Sequence, residues 1–240
     1  MKTLILGASG ATGKLLVEQL LLAEQNIKVV IRPTAQIPTF WQNHANLEII
    51  SAEISKMKTV LMKEIVSDCN SVAVCLGHNL NFKGLFGKPR RLVTDAVRLL
   101  TSSILKVQNQ KPIKLVLMNT AGNRNRDLKE SISVSESLII TLLRLLLPPH
   151  LDNELAAEYL RKKIGKQNNT IEWVVVRPDS LIDETQVSQY SLLPSPNTSA
   201  IFKPGKTSRI NVAHFMADLI QKADLWNKWE GQMPVIYNQI

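Results

Sequence analysis

Cysteine is scarce in this chain: there are two, Cys69 and Cys75, in 240 residues. They fall around different elements of the hydrophobic pattern, so no disulfide framework is implied and both read as buried thiols. Histidine is scarce too, with four residues. His44, His150 and His214 have no clustered cysteine or carboxylate at metal-ligand spacing, so no metal site is expected. Long apolar runs are missing: the longest, residues 138–147, contains Arg144 and has about half the length of a membrane span. The opening Met1-Lys2-Thr3-Leu4-Ile5-Leu6 is too short an apolar stretch for a signal peptide, so a cytoplasmic protein with no membrane partner is expected. Aromatics make up 5% of the residues, without the interleaving with cations that nucleic-acid binding uses, and there is no unbroken basic run. A net charge of +9 then suits a polyanionic small molecule better than a nucleic acid. No internal repeat and no linker break the chain, so residues 1–240 read as a single domain.

Glycine is also infrequent at ten residues, yet three stand together in Gly7-Ala8-Ser9-Gly10-Ala11-Thr12-Gly13. This stretch follows the apolar Thr3-Leu4-Ile5-Leu6 and opens a segment with Leu16, Leu20 and Ala23 at helical spacing. The pattern is strand, tight turn, helix, a dinucleotide-binding corner. A side chain at such a turn would hold the backbone away from a pyrophosphate, and free amides at a helix start bind the anion. Gly7, Ser9, Gly10, Ala11, Thr12 and Gly13 are therefore candidate cofactor contacts. A P-loop is excluded, because it needs glycine five residues before a Gly-Lys pair and Ser or Thr after it, where this chain has Ala8 and Leu15.

Downstream, strands are expected at 27–31, 47–51, 71–76, 113–118, 171–176 and 233–236. Helices are expected at 56–66, from Pro89 to about 108, at 135–147 up to Pro148-Pro149, at 151–164 and at 212–222. The apolar face of the 135–147 helix reads as core or, failing that, as a partner surface. Alternation of this kind gives an α/β fold, a Rossmann-type doubly wound parallel sheet whose ligands lie beyond the carboxyl ends of the strands. The second strand ends in Arg32 where an NAD site would carry Asp or Glu, so Arg32 suits the 2′-phosphate of NADPH; the alternative is a surface arginine. Glu53, just past the third strand, is placed near the adenine. Residues 179–209 contain Pro194, Pro196, Pro204 and Gly205 with little periodicity, and read as a lid or substrate loop. Arg32, Lys83, Arg90, Arg91, Arg124 and Arg209 all follow strand ends. An electropositive mouth and an anionic small-molecule acceptor are expected from that distribution.

The 7–13 turn, the Arg32 ending, Leu76-Gly77 after strand four, Asn119-Thr120-Ala121 after strand five and Val174-Val175-Val176-Arg177-Pro178 together resemble an atypical short-chain dehydrogenase/reductase. The similarity is to the NmrA-like branch that includes flavin reductase/biliverdin reductase B. Ser208-Arg209-Ile210 and the helix after it are similar to that branch's closing segment. The resemblance implies NADP(H) as cofactor, with Leu76, Gly77, Asn119, Thr120, Arg177 and Pro178 around it. Thr120 stands at the position of the superfamily's serine and is the first candidate for contacting nicotinamide or acceptor, with Asn119 second. His78 is a candidate proton donor. Tyr159 and Lys163 have the superfamily's catalytic Tyr/Lys spacing, but Lys163 lies too close to Gly165 and Arg177 for that alignment. Aligning Glu158 with the family's acidic residue instead puts His150 and Glu154 at the dyad positions. The resemblance then implies a reductase of flavin-like, quinone-like or tetrapyrrole-like acceptors or, alternatively, a non-catalytic NADPH sensor.

Overall fold

The structure is a computed structural model that describes residues 1–78, 87–108, 110–128, 130 and 133–239. Short β-branched and aliphatic runs form β1 (Lys2–Leu6), β2 (Asn26–Ile31), β3 (Leu47–Ser51), β4 (Ser71–Val74), β5 (Ile113–Met118) and β6 (Ile171–Pro178). All of these pair in parallel. The remaining strands are β7 (Ser180–Ile182), β8 (Tyr190–Leu193), β9 (Lys206–Ser208) and β10 (Val235–Asn238). In the main sheet the order is β3-β2-β1-β4-β5-β6-β10-β8, with β8 antiparallel to β10, while β7 and β9 form a separate pair. The order reverses beside β1, so the crevice beyond Leu6 and Val74 is the switch point at which such sheets bind ligands.

Successive side chains of a strand point to opposite faces, and the core divides accordingly. Leu4 and Leu6 pack with α2 (Thr59–Val66), α3 (Leu92–Ile104) and α5 (Pro148–Tyr159), through Met62, Val97 and Ala156 among others. Ile5, between them, packs with α1 (Ala11–Leu22), α6 (Arg209–Gln221) and α7 (Ala223–Trp229), through Leu16, Phe215 and Trp226. Each aliphatic side chain so buried contributes ~1.5–3 kcal/mol, which explains why strands buried on both faces read as continuous apolar runs.

The structure corrects four expectations. Residues 179–209 are not without regular structure, since they supply β7, β8 and β9. These strands are only three or four residues long and pair far along the chain, so no periodicity marks them. The helix expected from 151 begins at Pro148, since proline is tolerated where the first helical N–H has no partner. It passes into a π-turn at Leu160–Ile164 that ends at Gly165, φ +74°. Helix α7 follows α6 after a break at Lys222 that the pattern did not reveal. Finally, α4 (Val134–Leu146) turns Leu138, Leu142 and Leu146 outward, 72%, 53% and 56% exposed, so this face is not core. Among the described residues no helix is long and apolar enough to cross a membrane.

Candidate functional site

The turn between β1 and α1 is built so that backbone packs on backbone. Gly7 has φ +84°, and a Cβ there would stand 2.6 Å from the carbonyl carbon and oxygen of Cys75, just past β4. A Cβ on Gly13 would run into the Gly7 carbonyl oxygen. Gly10 is different. Its φ is −76°, open to any residue, and a Cβ would meet only the Gly7 oxygen at 3.2 Å, with the Cys75 oxygen at 4.0 Å. Backbone strain does not demand glycine at position 10; a Cβ would press on the Gly7 carbonyl oxygen, and glycine also keeps a side chain out of the space in front of α1. Gly10 is also the N-cap of α1 and has no side-chain cap. The first amides of α1, from Ala11 and Thr12 onward, are thus left for an anion. Ser9 is half-buried, Ala11 exposed and Thr12 buried. The cradle fits a dinucleotide pyrophosphate. Cys75 beneath it offers no thiolate, because burial pushes its thiol up to about 12.

At the neighbouring strand ends, Arg32 is exposed and forms no ion pair among the described residues. Glu53 accepts hydrogen bonds from Ser55 and pairs with Lys56 at 2.7 Å; these groups, with a smaller pull from Arg32, hold its carboxyl below the usual range. Leu76 is half-buried and Gly77 exposed, with no atom of the described residues within 4 Å of where its Cβ would stand.

Beyond β5, Asn119 is buried and committed to the backbone: its Nδ2 donates to Asn153 O at 2.9 Å and its Oδ1 accepts from Thr120 N at 2.9 Å. Thr120 Oγ1 accepts from Gly122 N at 3.2 Å. Over Gly122 stands His150, whose Nε2 is buried without a hydrogen-bond partner among the described residues and lies 3.5 Å from Glu154 Oε1. Glu154 is in turn gripped by Arg144 through Nε at 2.7 Å and a second guanidinium nitrogen at 2.9 Å. A cavity of about 490 Å³ opens beside this group, lined by Ala121, Gly122, Arg124, Ile140 and residues 195–201. Arg124 Nε and Thr198 Oγ1 in its wall are buried and unpartnered among the described residues. The site thus has two compartments, an anion cradle at β1/β4 and a polar-lined cavity at β5.

Residues 7–223 match the sequence profile of the family described as NAD(P)H-binding. The chain belongs to that NAD(P)H-binding family. No curated protein sequence matches it. The fold is shared with the oxidoreductase ylbE of Lactococcus lactis, 16% identical over 100% of this chain and 91% of that one, TM-score 0.70. A short-chain dehydrogenase/reductase of Veillonella parvula solved with NADP is 17% identical over 99% and 94%, TM-score 0.69. ChuY, an anaerobilin reductase of Escherichia coli, is 13% identical over 99% and 97%, TM-score 0.68.

Other expected site residues of this NAD(P)H-binding protein are used elsewhere. His78 Nε2 is 2.8 Å from Asp152, whose side chain is fully buried and accepts the N–H groups of Val93 and Thr94 at the start of α3. The ring therefore serves a helix start, not an open loop. Arg177 has no exposed surface, and every N–H of its guanidinium is spent: on Met233 O, Asn123 O, Pro194 O and both oxygens of Glu130. Nothing of that side chain is left for a cofactor; Pro178 beside it is buried at the end of β6.

The cationic rim is uneven. Arg209 is tied to Asp183 at 2.7 Å, and Arg124 donates to Glu130 O while keeping Nε free. Arg90 and Arg91 are exposed, without an ion pair among the described residues. Lys83 lies outside the described residues. Tyr159 packs against the α3 side of the core, with Arg98 over its ring at 5.5 Å, and Lys163 is exposed. The set His150, Glu154 and Arg144 is what the sequence reading passed over. Its one signal was the placement of His150 and Glu154 at the dyad positions.

Proposed function

We propose that the protein is a cytoplasmic, NADPH-dependent oxidoreductase that passes hydride to a flavin-like, quinone-like or tetrapyrrole-like acceptor held in the cavity beside β5. The observation that carries this reading is the second compartment. The β1/β4 cradle serves the pyrophosphate, and about 490 Å³ beside β5 is room for a second molecule next to the nicotinamide end. The bound dinucleotide supplies hydride; the chain binds and orients. Gly7, Gly10 and Gly13 admit the pyrophosphate to the α1 amides, Arg32 takes the 2′-phosphate, Glu53 borders the adenine, and Leu76 and Gly77 flank the path to the nicotinamide. Thr120, half-buried at the end of β5, contacts nicotinamide or acceptor. Arg124, with a buried N–H to spare, gives the cavity an anion contact, and Arg90 and Arg91 add positive potential. The name of ChuY supports a tetrapyrrole-like acceptor, and the two free cysteines suit a reducing compartment.

A second reading has one specific observation in its favour. The outward leucines of α4 offer a partner surface, as a non-catalytic NADPH sensor would need. NADPH oxidation by the purified protein with FMN, against the same mixture without protein, separates the two. A rate well above background establishes a reductase, and no rate at saturating NADPH favours the sensor.

A further inference from the structure

We propose that the outward face of α4 pairs with the same face of a second copy of this chain, the two helices running antiparallel about a twofold axis at Leu142. Leu138, Leu142 and Leu146 stand four residues apart, so they form one ridge along the helix, 72%, 53% and 56% exposed. The other exposed side chains described on α4 are those of Ser135, Ser137 and Thr141. The two charged residues of the helix are engaged elsewhere. Glu136 completes the capping box with Ser133 and accepts from Ser199 Oγ, and Arg144 is bound to Glu154. Among the described residues, the exposed face of α4 is therefore built of leucines and hydroxyl groups and carries no charge. Past the first turn of α4 the exposed apolar surface continues at Phe202, 58% exposed, whose N–H donates to Ser199 Oγ at 3.0 Å.

Charge decides what covers this face. Two copies of a chain of net charge +9 repel each other, and a contact surface without charged groups adds no like pair at close range. An anionic lipid surface is met by helices with Lys or Arg beside the apolar stripe, whereas α4 has serine and threonine there. The leucine ridge is also self-complementary. Ridges of side chains four residues apart pack into each other's grooves with the helix axes crossing at about 50°. A twofold axis at the middle leucine sets Leu142 against the partner's Leu142 and Leu138 against the partner's Leu146, the same patch serving both copies. In the antiparallel sense the two helix dipoles also oppose each other. A 13-residue helix is roughly 20 Å long, so the contact is of the small class and the dimer is reversible. The inner side of the same helix lines the cavity at β5 through Glu136 and Ile140, so pairing braces a wall of that cavity. The inference gives an occupant to the face that the second reading above left open, and it holds whether or not the protein turns over.

The test combines sedimentation with cross-linking. At about 100 µM, within reach of a small interface, the wild type should sediment as a dimer and Leu142→Lys as a monomer, with the same helical content by circular dichroism. Because both copies are cationic, raising NaCl from about 0.05 M to about 0.5 M should tighten the wild-type dimer. Under mild oxidation Leu142→Cys should form a disulfide-linked dimer. Leu138→Cys and Leu146→Cys should not do so singly, but a mixture of the two should. The native thiols do not compete, since burial pushes those of Cys69 and Cys75 up to about 12. A wild type that stays monomeric at that concentration, or a dimer that survives Leu142→Lys, would overturn the pairing. So would a dimer that added salt separates, or Leu138→Cys linking to itself as readily as Leu142→Cys. A monomer that sediments with phosphatidylserine vesicles would give the face to a lipid surface and overturn the pairing as well.

Discussion

Arg32 and Arg177 are both arginines beyond the end of an apolar strand core, and their surroundings give them opposite roles. Arg177 satisfies five donors inside the protein and, with Glu130, fastens β6 to the loop after β5, to Pro194 and to the segment before β10. A guanidinium so buried is costly to leave unpaired, so its role is to hold the fold. Arg32 is exposed at the end of β2, beside a Glu53 already bound to Lys56, and is free to meet a phosphate. Arg32→Glu should therefore weaken NADPH by roughly 10–100-fold, the worth of one charge-assisted pair, and leave NADH nearly unaffected. Equal losses in parallel binding titrations would mean that Arg32 is not on the 2′-phosphate. The place of Arg32 at a strand end was legible in the sequence because its neighbours are local. The sequence did not distinguish Arg177, because Glu130 and the carbonyls around it come from distant stretches.

At the scale of elements, α3 begins without help from its own sequence. Arg91 at the N-cap supplies no side-chain acceptor, and the acceptor comes instead from Asp152 on α5, 58 residues away from Thr94. Burial opposes the Asp152 charge, yet the bonds from His78, Thr94 and Val93 outweigh it and hold the carboxyl below its usual range. A carboxyl whose folded value lies below its unfolded one adds stability above the unfolded value, and that stability is lost as pH falls through the folded one. Asp152→Asn should cost about 1–3 kcal/mol at pH 7 in urea unfolding. It should also lose less further stability than the wild type when the pH is lowered below about 4. A variant whose stability falls in parallel with the wild type at every pH would remove Asp152 from the acid transition. The periodic segments gave away the helices themselves, but not this cap, which only tertiary packing creates.

For the whole molecule, the alternation of apolar runs and helical segments was enough to anticipate a doubly wound parallel sheet with its ligands beyond the carboxyl ends of the strands, because each unit is local and periodic; the position of the switch point came from the strand order. Past β6, helix α6 and the last strand were anticipated, but β7, β8 and β9 were not. Strands β7, β8 and β9 have three or four residues each and take their partners from β9, β10 and β7, so no window of sequence contains the pattern. The cavity that residues 195–201 close over Gly122 was hidden for the same reason. The leucines of α4 misled in the other direction: a helical apolar face was visible, but not that Leu138, Leu142 and Leu146 would be left without cover.

Gly10 is the most direct probe of a dinucleotide at the 7–13 corner, since its backbone is ordinary and a Cβ there would meet the Gly7 oxygen at 3.2 Å and the Cys75 oxygen at 4.0 Å. The measurement is an NADPH titration of wild type and Gly10→Val, with the thermal unfolding of both recorded alongside. The wild type should bind and the variant should not. The variant's melting point should fall by only about 2–4 °C, as a loss near 1 kcal/mol would give. A folded Gly10→Val that binds NADPH as tightly as the wild type would contradict a dinucleotide at the 7–13 corner.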